Sequence, residues 1–278
     1  MTTIFNPFAF AADDLNWMFF EPSLLPLESA WIGHIPFAAW VIAAAQPRVV
    51  VELGTHSGAS FAAFCDAVKR FKMSETRCFA VDTWTGDAQA GFYSDEVYHA
   101  LSRHVVAQFG DMAVLKRMSF DAARDDFADG SVDLLHIDGY HTYEAVRHDF
   151  ETWRSKLSPR GVVLFHDTNE RVADFGVWRY WAELRAEFPG FEFLHSHGLG
   201  VLAVGKAAPV ALQQLCKLAD PRAIRRIQVR FEALGRHLET QRDLRLLQHV
   251  TEQRMREAQA RLEARRAAED APPQGDTA

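Results

Sequence analysis

The chain has 278 residues, of which 48% are hydrophobic and 24% charged, with a formal net charge of −7. That is the composition of an ordinary globular protein able to bury a sizeable core, and its acidic balance excludes a general nucleic-acid binder. The charge is uneven, since residues 1–220 sum to −10 while residues 221–266 carry twelve arginines, no lysine and six acids. Three cysteines, Cys65, Cys78 and Cys216, make no disulfide framework. The first twenty residues hold two aspartates and no lysine or arginine, unlike a secretory leader. The apolar stretch Ile35–Ala45 is too short to span a bilayer. The expectation is a cytoplasmic protein with no transmembrane segment.

Residues 1–46 are rich in aromatics: Phe5, Phe8, Phe10, Trp17, Phe19, Phe20, Trp31, Phe37 and Trp40. They predict a helical layer packed on a sheet edge, a lid over a ligand, or both. Continuous apolar runs then alternate with amphipathic segments of helical length, the pattern of a parallel sheet buried on both faces. The runs are Val49–Leu53, Cys78–Asp82, Ala113–Arg117, Val132–Asp138 and Val162–Asp167. Helices are predicted over 60–72, 142–157 and 174–187, the second stopped by Ser158-Pro159-Arg160-Gly161. Two more runs, 191–195 and 201–204, flank a glycine turn and predict a β-hairpin at the sheet edge. The fold class is therefore α/β, a Rossmann-like, doubly wound, mostly parallel sheet closed by an antiparallel hairpin. Beyond residue 208 the strand signals stop, and residues 209–278 read as a helical extension. Ile224, Ile227, Phe231, Leu234 and Leu238 keep a 3-4-3-4 spacing that slips at Gln241, predicting a helical hairpin or short coiled coil with disorder from about 268.

The first strand runs into Glu52-Leu53-Gly54-Thr55-His56-Ser57-Gly58-Ala59-Ser60. Glycines at a strand-to-helix turn let a ligand approach the backbone, and the helix start offers N–H groups. The spacing G-x-x-x-G lacks the G-x-G-x-x-G dinucleotide fingerprint. Asp82 closes the next strand, where a carboxylate can take a ribose diol or cap a helix.

These residues resemble the class I S-adenosylmethionine-dependent methyltransferases, ELGTHSGAS being similar to the first motif of the catechol O-methyltransferase type. The resemblance implies S-adenosylmethionine as cofactor, with Gly54 and Ser60 on its methionine end, Glu52 in support, and Thr55, Gly58 and Asp138 as further cofactor-binding candidates. It implies Asp82 on the ribose and Ser119 at the border of the adenine. Trp84 is a candidate to stack on that ring, with a core position as the alternative.

Two further strands end in His136-Ile137-Asp138-Gly139-Tyr140-His141 and Phe165-His166-Asp167-Thr168. Carboxyl ends of strands converge on the ligand crevice of a doubly wound sheet. Asp138 and Asp167 are therefore expected side by side near the cofactor, where their repulsion calls for a cation. Oxygen ligands suit Mg²⁺, and an imidazole among them shifts the preference toward Mn²⁺ or another transition ion. His141 stands three residues beyond Asp138 and is the candidate general base for an acceptor hydroxyl. The pairing resembles, more narrowly, the metal-dependent macrocin and mycinamicin sugar O-methyltransferases and their cephalosporin-hydroxylase-like relatives. That resemblance implies metal ligation by Asp138 and Asp167, with His166 in the shell, and a sugar or glycan acceptor. His136 is expected in the core, His34 in the lid near substrate, and His195 and His197 on one face of an edge strand.

Two alternatives accompany this reading: a catechol or phenol acceptor, and a non-catalytic assembly module docking through its helical tail. The tail also predicts a homo-oligomer or docking to a partner. Domain limits follow as 1–208 for the methyltransferase domain and 209–278 for the tail.

Overall fold

The computed structural model describes residues 20–27 and 29–269. The expectations for Phe5, Phe8, Phe10, Trp17 and Phe19, and for the last nine residues, lie outside the described part.

The described chain opens with a 3-10 turn at Ala30–His34 and helix α1, Ile35–Ala45. Strand β1, Val49–Leu53, leads into α2, Ala59–Arg70, then β2, Arg77–Asp82. A two-strand ribbon follows, β3 (Gly86–Asp87) and β4 (Gly91–Phe92), before α3, Asp95–Phe109. Next come β5 (Ala113–Arg117), the short α4 (Phe120–Arg124), β6 (Val132–Ile137) and α5 (Tyr143–Trp153). The remainder is β7 (Leu157–His166), α6 (Val177–Glu187), β8 (Gly190–Phe193), β9 (Leu199–Ala203), α7 (Val210–Cys216) and α8 (Pro221–Glu269).

Seven strands form one sheet in the order β5-β2-β1-β6-β7-β9-β8. The first five are mutually parallel, and β9 runs antiparallel to both β7 and β8. All six residues of β6 are buried, which explains the unbroken apolar run: helices cover both faces. On one face α1, α2, α7 and α8 contribute to a core around Phe64, Leu134 and Phe193. On the other, α5 and α6 close over Val51, Leu135 and Phe165 with Phe150, Trp153 and Trp181.

Helix α1 is apolar nearly all round, with nine of its eleven residues buried, as suits a helix sunk between layers. Pro36 falls in its first turn, where no N–H is missed. Of the aromatic segment, Phe20, Trp31, Phe37 and Trp40 are buried; Phe37 lies 4.7 Å from Phe193 and 5.5 Å from Phe231, ring to ring. These residues form a layer on the sheet.

Two expectations need correction. The C-terminal segment is not a helical hairpin: α8 runs unbroken for 49 residues, about 73 Å at 1.5 Å per residue. Ile227, Phe231 and Leu238 are buried against the body. Gly235 sits so close to the Ala30–His34 turn that a Cβ would lie 2.1 Å from the Gly33 carbonyl oxygen. The helix leaves the body just past the slip at Gln241, after Arg242 donates to the Ser29 carbonyl at 3.3 Å; further on, Leu244, Leu247, Met255 and Leu262 are exposed. Second, His195 and His197 lie past the end of β8, in its turn toward β9, and face different neighbours. No described helix is long and apolar enough to cross a membrane.

Candidate active site

The carboxyl ends of β1, β2, β6 and β7 open into a cavity of about 660 Å³ lined by Gly54, Thr55, Ser60, Asp82, Ser119 and Asp138, among others. Gly54 has φ of 86° and donates its N–H to the Val81 carbonyl; a Cβ there would stand 2.0 Å from the Asp138 carbonyl oxygen. Only glycine fits such a left-handed, close-packed turn. Gly58, also left-handed, starts α2 without a side-chain cap, so the first-turn N–H groups keep their capacity for a ligand. Thr55 is buried, yet its hydroxyl has no partner.

Asp82 holds the loop rigidly. Its Oδ2 accepts from the backbone N–H groups of Thr55 and His56, both at 2.9 Å, and its Oδ1 from that of Trp84 at 2.7 Å. An ionised carboxylate has about four acceptor positions, so capacity remains on the cavity side. Ser119 caps α4, accepting from the Ala122 N–H at 3.3 Å, and borders the cavity. Trp84 is fully buried, donating its indole N–H to the His56 carbonyl at 2.9 Å and meeting Tyr98 edge-on. It is a core residue and does not line the cavity; His56 and Tyr93, rings 4.6 Å apart, do. Burial, with Asp82 and other acids nearby, pushes the Tyr93 hydroxyl up to about 12.

Glu52 and Gly58 stand behind the cavity wall. Glu52 Oε2 lies 2.9 Å from His136 Nδ1, and both side chains are fully buried. Trp31 donates its indole N–H to His136 Nε2 at 3.1 Å. An indole only donates, so Nε2 accepts and Nδ1 carries the hydrogen toward Glu52. His136 is a core residue, as its place within β6 suggested.

The acidic pair meets as expected. Asp138 follows β6 and Asp167 follows β7, the latter at φ of 60°, a left-handed conformation that aspartate tolerates better than most residues and that clusters at functional sites. His141 joins them: its Nε2 lies 3.0 Å from Asp167 Oδ2 and 3.6 Å from Asp138 Oδ1. One ligand atom from each of Asp138, His141 and Asp167 falls within 4.8 Å of the others. His166 approaches the same oxygens from the strand side, its Nδ1 at 3.2 Å from both carboxylates and its Nε2 at 3.1 Å from the Ser196 carbonyl.

Burial alone would neutralise all four groups, but their mutual attraction prevails. His166 and His141 hold both carboxyls well below the usual carboxylate range, and the carboxylates in turn hold His141 up to about 9 and raise His166 as well. Such a set of paired carboxylates and imidazoles can exchange protons for a divalent cation.

The surroundings add Phe175 and Gln89, which the sequence gave no reason to select, to histidines already singled out. His141 stacks on Phe175, rings 4.8 Å apart and 7° from parallel. Gln89 Oε1, on the β3–β4 turn, stands 3.0 Å from both the backbone nitrogen and Nδ1 of His141. His197 Nδ1 lies 3.2 Å from Asp167 Oδ1. His34 is wholly buried, packs 4.5 Å from His195 and does not reach the cavity, contrary to expectation.

Residues 51–168 match the family described as "Methyltransferase domain". The uncharacterized protein y4gI of Sinorhizobium fredii is 49% identical over 203 residues, covering 73% of this chain and 22% of that protein. The chain thus spans about a fifth of the length of the curated relative it matches. Among solved structures, a putative caffeoyl-CoA O-methyltransferase from Staphylococcus aureus gives a TM-score of 0.47 at 11% identity, covering 60% of this chain and 81% of that one. An O-methyltransferase from Bacillus cereus in complex with SAH gives 0.45 at 14% identity, covering 60% and 79%.

Proposed function

We propose that this chain is an S-adenosylmethionine-dependent O-methyltransferase, assisted by a divalent metal ion and acting on a hydroxyl of a sugar or glycan in the cytoplasm. The observation that carries the reading is the adjacency of the glycine-turned cavity and the Asp138–His141–Asp167 cluster. The cavity volume lies within the range of small-molecule sites. The unpartnered Thr55 hydroxyl and the uncapped start of α2 suit a polar, charged ligand such as the methionine end of the cofactor. Asp82 would take the ribose and Ser119 border the adenine. Two carboxylates and an imidazole nitrogen are a donor set for Mn²⁺ or Mg²⁺.

When bound, the cofactor supplies an electrophilic methyl and the ion a Lewis acid that eases deprotonation of an alcohol. The chain's own work is to position. Asp138 borders both compartments, since its carbonyl oxygen closes on Gly54 and its carboxylate groups with His141 and Asp167. The sequence assigned proton removal to His141 and metal holding to His166. The distances favour His141 in the metal group, with His166 balancing the carboxylates from behind. The sugar preference rests on the narrower sequence resemblance. The exposed apolar residues of α8 beyond Gln241 support association with a second copy or a partner.

The test is transfer of a labelled methyl group from S-adenosylmethionine to a panel of sugars and catechols, with Asp138→Asn and Asp167→Asn as controls. Metal-dependent labelling of a sugar hydroxyl, lost in both variants, is the expected result. Labelling of catechols alone would replace the sugar reading with the phenol one. Labelling unaffected by chelator or by either variant would remove the metal from the account.

A further inference from the structure

The β3–β4 turn and the segment after β7 meet over His141 through one side chain. Gln89 donates its amide N–H to Asp174 Oδ1 at 2.6 Å, while its Oε1 faces two nitrogens of His141, the backbone N and Nδ1, each at 3.0 Å. Gln89 is itself set by the turn: Asp87 Oδ1 accepts from the backbone N–H groups of Gln89 and Ala90.

The hydrogen positions in this bridge follow from which groups can only donate. The backbone N–H of His141 has no acceptor capacity, so the Gln89 atom facing it is the oxygen. An amide oxygen cannot donate, so His141 Nδ1 must carry its hydrogen. The neutral ring then has its lone pair on Nε2, the atom 3.0 Å from Asp167 Oδ2 and 3.6 Å from Asp138 Oδ1. Without a metal this Nε2 keeps a proton toward Asp167; a divalent cation seated between the carboxylates would displace that proton and take the lone pair.

We propose that Gln89 is a positioning residue that locks the His141 tautomer, making Nε2 a metal ligand and biasing the site toward a nitrogen-accepting transition ion over Mg²⁺. This rests on the metal-dependent reading above and extends it to a residue outside the ligand set. Imidazole ligands elsewhere are oriented by an acceptor on the second ring nitrogen, and losing such an acceptor weakens metal binding about 10- to 100-fold. The Gln89 side chain is not among the residues lining the cavity, so its effect on the metal is separable from cofactor binding. The same bridge ties two loops together over the stacked His141–Phe175 pair.

The experiment is Mn²⁺ binding followed by electron paramagnetic resonance on the full chain, with S-adenosylhomocysteine affinity measured in parallel. Gln89→Leu is expected to raise the Kd for Mn²⁺ about 10- to 100-fold and to leave S-adenosylhomocysteine affinity unchanged. The double variant Gln89→Glu with Asp174→Asn keeps an acceptor on His141 and reverses the polarity of the bridge, so it should restore Mn²⁺ binding. Equal Mn²⁺ affinity in the unaltered chain and Gln89→Leu would overturn this inference alone. So would parallel loss of both ligands in Gln89→Leu without rescue by the double variant, which would mean that Gln89 only shapes the loops. Failure of the unaltered chain to bind Mn²⁺ would remove the metal reading itself, and this one with it.

Discussion

Glu52 and His136 face each other across adjacent strands, Oε2 to Nδ1 at 2.9 Å, with neither side chain exposed. The pair joins the first strand to the fourth of the parallel set and, through the Trp31 indole, ties the sheet to the turn before α1. Glu52 Oε1 has no partner of its own, so the carboxylate depends on His136. His136→Ala leaves that carboxylate buried and uncompensated and is expected to destabilise the fold by about 3–5 kcal/mol. Urea unfolding measures it; a loss under 1 kcal/mol would show that water or rearrangement satisfies Glu52 without the imidazole.

Asp82 accepts three backbone N–H groups around the glycine turn. Hydrogen bonds to a charged acceptor are worth about 1.5–3 kcal/mol each. Asp82→Ala is therefore predicted to weaken S-adenosylhomocysteine binding by at least about tenfold, through the loop and through the ribose contact together. Asp82→Asn keeps acceptor capacity on one atom and should fall between. Fluorescence titration separates the three proteins, and equal affinities would place the ligand elsewhere.

Asp149 on α5 is buried, and that burial, reinforced by Asp121 and opposed by His148, raises its carboxyl to about 7. The folded state then holds this proton more tightly than the unfolded chain, whose aspartates titrate near 4. Its favourable contribution is complete below about pH 4 and is lost as pH rises through about 7. Asp149→Asn removes that loss. The variant should be more stable than the parent at pH 8, by on the order of a few kcal/mol, with the difference shrinking toward pH 5. Melting curves at the two pH values test this, and a difference independent of pH would contradict it.

Helix α8 is buried against the body at its start and exposed further along. Its first part buries Ile227, Phe231 and Leu238, and Glu239 accepts from the Ser196 hydroxyl at 2.8 Å. Phe231→Ala should cost about 3–5 kcal/mol by opening a core cavity. Truncation after Asp243 removes, among the described residues, turns that are nearly all exposed and should leave the melting temperature within a few degrees. If truncation destabilised the chain as much as Phe231→Ala, the outer part of the helix would be folded onto something the exposure of Leu244 and Leu247 does not show.

Much of this architecture was legible because buried parallel strands leave continuous apolar runs: β1, β5 and β6 appear at their predicted places, and β7 extends further toward its start. Asp138 and Asp167 were legible for the same reason, being polar residues at the ends of such runs. Helix α3 was not, since only Leu101, Val105 and Phe109 of its fifteen residues are buried. Strands β3 and β4 are two residues each, too short for any periodicity. Trp84 misled because closeness to Asp82 in sequence says nothing of the side of the strand end on which a ring lies. Gln89 carried no signal: its partner is 52 residues away, and only the ribbon brings them together. His197 was noticed for its spacing with His195, but the turn sends one to Asp167 and the other to Gly33.

The most direct measurement is isothermal titration of the full chain with S-adenosylmethionine, with and without Mn²⁺, beside Asp82→Ala. The account predicts saturable one-to-one binding that Asp82→Ala weakens strongly, together with a separate Mn²⁺ site that Asp82→Ala leaves intact. Absence of S-adenosylmethionine binding under every metal condition would contradict it.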